Sequence, residues 1–181
     1  MLVEALERIC ADHCTKDALD AAERGEFPYA LWRVLVDNGF HDLGLPDAEI
    51  TDADLYAVLR AAARHALPIP LAEAVLGKRW LAAAGIDSND DLVSVGLLCD
   101  DAVVHIPWGR QAQSVLAVLP RDFSGQPEAA ASSLAICDSQ SKAHGDNLAG
   151  EPRDALLHVE YSTKLDQPNA YDELALSLIH I

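Results

Sequence analysis

Two prolines one residue apart, Pro68 and Pro70, close a long stretch of leucine, valine and alanine and forbid its continuation as helix. Proline has no backbone N–H and clashes with the preceding turn, and it drives the residue before it out of the helical region. Leu55, Val58, Leu59, Ala62, Ala63 and Ala66 recur at spacings of three and four, so they form the face of one helix that stops before this corner. Thr51 and Asp54 open that helix in capping-box spacing, with aspartate in place of glutamate. A further helix is predicted from about Leu71 through Trp80 to Ala84, with Gly85 as its stop.

The chain before Thr51 is also helical in pattern. Leu2, Leu6, Ile9 and His13 make one amphipathic stripe of a helix that Gly25 ends. Pro28 suits the first turn of the next, which buries Leu31, Trp32, Leu35 and Val36 and stops at Gly39 in a left-handed conformation. The period changes after the polar joint Asp87-Ser88-Asn89-Asp90-Asp91. Short runs at 92–98, 102–106, 114–119, 134–136 and 156–161 are rich in valine, leucine and isoleucine and read as strands, with 139–153 as an exposed loop. A helical layer is thus followed by an all-β layer. Without βαβ alternation a Rossmann fold is not expected, and no glycine-rich phosphate loop occurs.

Half of the 181 residues are hydrophobic, which supplies a buried core. A formal net charge of −16 repels nucleic-acid phosphate and anionic membrane surfaces, so neither is expected as a partner. No apolar run approaches the roughly 20 residues of a membrane span. The start, Met1-Leu2-Val3-Glu4, lacks the apolar run of a signal peptide. The chain reads as cytoplasmic, with its four cysteines reduced. Cys10 and Cys14 share a helix face with His13 between them, but no second ligand pair exists, so no metal site is expected. Ser132, Ser133, His144 and Asp146 lack a nucleophile elbow. Asp90-Asp91 and Asp100-Asp101 read as solvated turn residues.

The segment from Trp32 to Pro46, the Pro68/Pro70 corner, His105-Ile106-Pro107-Trp108-Gly109-Arg110-Gln111-Ala112-Gln113 and Asn147-Leu148-Ala149-Gly150-Glu151-Pro152-Arg153-Asp154 occur in an order that resembles the acyl-CoA dehydrogenase family. The resemblance implies an α+β fold: an N-terminal helical domain at 1–86, then a small antiparallel β-barrel-like domain at 87–175. It implies FAD as cofactor, an acyl-CoA substrate, and a homo- or hetero-oligomer. The carboxylate base of similar enzymes comes from a C-terminal helical domain, which this chain does not reach, so no catalytic residue is assigned. Leu176-Ser177-Leu178-Ile179-His180-Ile181 matches, residue for residue, the translation of a transposase adapter used in sequencing libraries. Residues 176–181 are therefore expected to be non-native, at the end of a truncated chain.

Three departures stand against the family pattern. The glycine pair that usually follows the leucine-proline turn is absent after Pro46, which alters a wall near the substrate channel. The threonine-glutamate segment that lines the flavin is not recognisable. The tryptophan, isoleucine, threonine or serine, and asparagine of the flavin edge fall against His105, Ile106, Pro107 and Trp108. Pro107 has neither hydroxyl nor N–H to offer. His105 and Trp108 are the candidates to stack on the isoalloxazine, against the simpler alternative that both pack at the domain boundary. Arg79 and Arg110 are candidate anchors for coenzyme A phosphates, against ordinary ion pairing. Two functions follow: a fragment of an FAD-dependent enzyme that removes the α and β hydrogens of an acyl-CoA, or a non-catalytic partner subunit in such an assembly.

Overall fold

Thr15 divides the first helical stretch in two. In the computed structural model, which describes residues 1–99, 102–118, 133–138, 141–146, 152–157 and 160–166, α1 spans Leu2–His13 and α2 Lys16–Glu23. Thr15 is extended (φ −74°, ψ 161°), and its hydroxyl accepts from the Ala18 N–H at 3.3 Å. The single helix expected up to Gly25 is corrected by that cap, a local bond that outweighs a continuous apolar stripe. α3 covers Tyr29–Asp37, and Gly39 adopts the left-handed φ of 73° read from the sequence. α4, Asp52–Arg64, opens on a full capping box: Thr51 Oγ1 accepts from Asp54 N at 3.2 Å and Asp54 Oδ2 accepts from Thr51 N at 3.3 Å.

α5, Leu71–Ala83, follows the proline corner and has almost no wet side. Leu71, Ala74 and Val75 enter the helical core beside Leu6, Leu35 and Val58. Leu76, Trp80 and Leu81 pack instead on Val93, Val95, Leu116 and Val118 of the sheet. Gly77 permits this approach, since a Cβ there would lie 2.7 Å from Val93 Cγ1.

The strands are β1 Val93–Cys99, β2 Ala102–Pro107, β3 Ser114–Val118, β4 Ser133–Asp138, β5 Ser141–Ala143, β6 Arg153–Leu157 and β7 Glu160–Asp166. They form one sheet in the order β5-β6-β2-β1-β3-β4-β7. Every pairing is antiparallel except β1 with β3, which is parallel. The antiparallel barrel-like expectation is corrected on both counts: the sheet is mixed, and β5 and β7 are open edges among the described residues. The cause lies in residues 108–113. β2 runs back to the end of the sheet where β1 began, and the chain then crosses that end, so β3 starts beside β1 in the same direction.

Two further sequence readings change. The expected loop at 139–153 contains β5 and an isolated bridge between Asp146 and Pro152. The expected strand at 156–161 contributes to β6 and β7, which lie on opposite sides of the sheet because β6 pairs with β2 and β7 with β4. Ser132, Asp100, Asp101, Leu119 and the tail 176–181 lie outside the described residues.

Candidate functional site

β2 carries one extra residue. Val103 pairs with Leu156 and Ile106 with Asp154, three steps against two, so the strand bulges between them. His105 takes up the excess with a left-handed φ of 56° and points into solvent as an exposed residue. The bulge also resets the alternation, so that Val103 and Ile106 both turn inward with Val115 and Ala117. Gly96 on β1 makes room for it: a Cβ there would meet Val103 Cγ1 at 2.6 Å and Ile106 Cγ1 at 2.7 Å. A non-glycine residue held at such a φ stores about 1–3 kcal/mol.

Trp108 is strained in the same way, with φ 51°, yet its side chain is 3 % exposed. The indole enters the helical core and meets Phe27 edge to face, with ring centroids 5.1 Å apart. Of the two proposed stacking residues, His105 is open and Trp108 is part of the packing between the layers. Pro107 lacks an N–H, and its carbonyl accepts the buried Ser94 hydroxyl at 2.7 Å. Segment 105–108 thus offers a flavin one exposed imidazole ring and, at Pro107, no hydrogen-bond donor.

The rest of the crossover is held by hydrogen bonds. Gln113 N donates to Leu92 O at 3.0 Å, and Leu92 N donates to Gln113 Oε1 at 3.0 Å. Arg110 clamps the loop to β6. Its backbone N–H donates to Asp154 Oδ2 at 2.7 Å and its guanidinium donates to Asp154 Oδ1 at 2.9 Å. His144 Nδ1 lies 3.3 Å from the same carboxylate. Burial pushes the Asp154 carboxyl up, but the bonds from the Arg110 guanidinium and backbone, and from His144, more than reverse this and leave it below the usual carboxylate range. Arg110 therefore serves an internal ion pair. Arg79, the other candidate phosphate anchor, pairs with Asp52 at 2.8 Å.

The crossover and α3 enclose an open cleft of about 620 Å³ lined by Phe27, Tyr29, Trp32, Arg33, Gln111 and Gln113, among others. The Gln111 Oε1 atom is buried there and has no hydrogen-bond partner among the described residues. Behind Trp32 sits His41, buried, with Nε2 3.4 Å from Asp42 Oδ2 and 3.9 Å from Asp91 Oδ1. Burial and then the Lys78 ammonium hold its pKa below the ordinary histidine value, against Asp42 and Asp91. A second cleft of about 260 Å³ lies against the Leu45-Pro46 turn and Arg79, where the departure after Pro46 falls. Neither cleft is lined by serine, cysteine or histidine, and the one lining threonine, Thr51, is committed to the α4 cap. His144 Nδ1 faces Asp154, not Asp146, in the hydrogen bonds of the described residues.

The fold these elements build is that of acyl-CoA dehydrogenase-type proteins. The Tcur3481-Tcur3483 steroid acyl-CoA dehydrogenase superposes with a TM-score of 0.67 at 18 % identity, over 99 % of this chain and 60 % of that one. The nitrososynthase from Micromonospora carbonacea var. africana gives 0.63 at 11 % identity, over 99 % and 58 %. The acyl-CoA dehydrogenase from Slackia heliotrinireducens gives 0.57 at 12 % identity, over 99 % and 59 %. The chain therefore spans about three fifths of the length of these structures. By sequence, no family model and no curated protein matches it. No described helix is long and apolar enough to cross a membrane.

Sequence reasoning missed Asp154 as an organising residue. Arg110 and Asp154 lay in the two separate segments that carried the family resemblance, and their charges were the only available sign that the segments meet.

Proposed function

We propose that the chain is part of an acyl-CoA dehydrogenase-like flavoprotein oxidoreductase that removes the α and β hydrogens of an acyl-CoA thioester. The observation that carries this reading is the fold shared over 99 % of the chain. FAD, when bound, supplies the hydride acceptor, and a carboxylate outside residues 1–181 would supply the base. This chain's part is positional: α5 packs on the sheet, and the exposed His105 at the bulge is the residue that would meet the flavin edge. Trp108 can stack only by leaving Phe27. An oligomer in the cytoplasm goes with this reading.

A second reading, a non-catalytic partner subunit in a hetero-oligomeric dehydrogenase, is favoured by Pro107 and Trp108. One offers the cofactor no donor, and the other is committed to the core.

The test is to tag the native gene, purify the intact assembly and measure flavin per polypeptide and subunit composition. One chain type with stoichiometric flavin supports the enzyme reading, and two chain types sharing flavin support the partner reading. An assembly with neither flavin nor acyl-CoA binding removes both. His105→Gly relieves the left-handed strain, so it should keep or raise stability by about 1 kcal/mol while weakening flavin binding.

A further inference from the structure

The cleft between α3 and the crossover has a chemistry that neither reading of the function uses. One side of it is aromatic. Phe27 meets Tyr29 edge to face with ring centroids 4.9 Å apart and Trp32 likewise at 6.4 Å, and all three line the cleft. Phe27 and Trp32 are buried, whereas Tyr29 is 67 % exposed; among the described large hydrophobic side chains only Met1 is also exposed. An aromatic ring left in water against a packed one is a face that a ligand can cover.

The polar groups of the lining are mostly acceptors. Asp37 makes no ion pair among the described residues. Asp91, 59 % exposed, has only the buried His41 near it, at 3.9 Å. Gln111 carries a buried Oε1 without a hydrogen-bond partner among the described residues. A buried acceptor without a donor is destabilising, and a ligand N–H relieves it. The last torsion of a glutamine is broad, so the amide can turn this oxygen to the cleft. Gln113 already spends its Oε1 on the Leu92 N–H. The one cation of the lining, Arg33, lies a helical turn before Asp37 and offsets that charge. Asp91 and the Gln111 oxygen remain, on a chain of formal net charge −16. That balance favours a cation with N–H donors over an anion.

We infer that this cleft binds a small organic ammonium ion that carries an aromatic or apolar body. The ammonium donates to an Asp91 carboxylate oxygen and to Gln111 Oε1, and the body lies against Tyr29. A cation beside such rings also gains from their negative faces. The volume, about 620 Å³, is that of a small-molecule site. His105, the flavin candidate, is not among the lining residues, so this inference stands or falls apart from the flavin reading.

The probe is phenethylammonium, titrated calorimetrically into the purified full chain beside phenethyl alcohol and phenylpropionate, which keep the ring and change the charge. The cation is expected to bind one site at least about fivefold more tightly than either, and more weakly at high salt. Equal or tighter binding of the anion would assign the cleft to Arg33 and overturn the inference, as would no binding at millimolar probe. Acetyl-lysine methylamide separates a free amine from the side chain of a partner protein. It should bind more weakly than phenethylammonium, and tighter binding would overturn the small-molecule assignment. Tyr29→Ala and Asp91→Asn change exposed residues, so both should fold by circular dichroism, and each should weaken the cation about fivefold. Gln111→Met should weaken it too while melting no lower than the parent, because it removes an unpaired acceptor rather than a bond. Unchanged affinity in all three variants would place the cation elsewhere on this acidic chain and overturn the site.

Discussion

The ion pair that joins two helices stands in water, whereas the pair that docks the crossover loop on a strand is buried. Glu7 and Arg64 join α1 to α4 at 2.7 Å with side chains 41 % and 54 % exposed. Arg110 and Asp154 join the crossover to β6 at 2.9 Å with the carboxylate 1 % exposed. Lys78, buried on α5, pairs with the half-exposed Asp42 where the Phe40–Asp42 turn docks on that helix, at 2.5 Å. The contrast has a physical source. Within a helix or a sheet the backbone bonds fix geometry, and an exposed charge pair adds little. Where a loop docks on another element no backbone ladder sets the register, and a desolvated, multiply bonded pair can set it.

The largest effect that sharpens this contrast is expected from Trp108→Ala. It removes the crossover's apolar anchor against Phe27 and should cost about 4 kcal/mol in urea unfolding, as for other buried large-to-small changes. A loss below about 1 kcal/mol would mean that the indole is not part of the joint. Asp154→Ala comes next, at about 3 kcal/mol, because Arg110 loses its buried partner and keeps only the exposed Asp146 at 3.6 Å and the Gly145 carbonyl. Its folded pKa is depressed, so the stability it contributes is present above the unfolded value of about 3.9 and is lost as pH falls through the lower folded value. Asp154→Asn should flatten that acid limb relative to the wild type.

His41 gives a smaller, pH-dependent effect. Its folded pKa is also lowered, so the unfolded chain takes up the proton first as pH drops below about 6.5. Stability should fall with decreasing pH from there, by no more than about 1.4 kcal/mol per pH unit, and His41→Gln should remove that slope. Arg64→Ala should be smallest, about 0.5 kcal/mol or less, by the same urea measurement. If Arg64→Ala matched Asp154→Ala, the distinction between exposed and buried pairs would fail for this molecule.

The helical half was legible in the sequence because its signals are local. Thr51 with Asp54, Gly39, Gly85 and the Pro68/Pro70 corner each act within a few residues, and the structure places them as read. Thr15 was the missed local signal, hidden by an apolar stripe that runs through it. Strand existence was also legible at 93–99, 102–107 and 114–118. Pairing was not, because nothing near residues 108–113 announces that β3 will lie beside β1. The run at 156–161 misled for a related reason: apolar periodicity cannot say that its two ends pair with different strands. At the site, the bulge at His105 was unreadable because it depends on the partner register of β6. The burial of Trp108 depends likewise on Phe27, eighty-one positions away.

α5 has a consequence for how the molecule comes apart. One end of this helix belongs to the helical core and the other to the sheet, and neither end keeps a wet face. If the chain were cut near residue 86, Leu76, Trp80 and Leu81 would be left in contact with water. Melting of the sheet would expose the same side chains and pull on the helices through them. Heat or urea should therefore take both layers through a single transition, so that the molecule behaves as one cooperative unit.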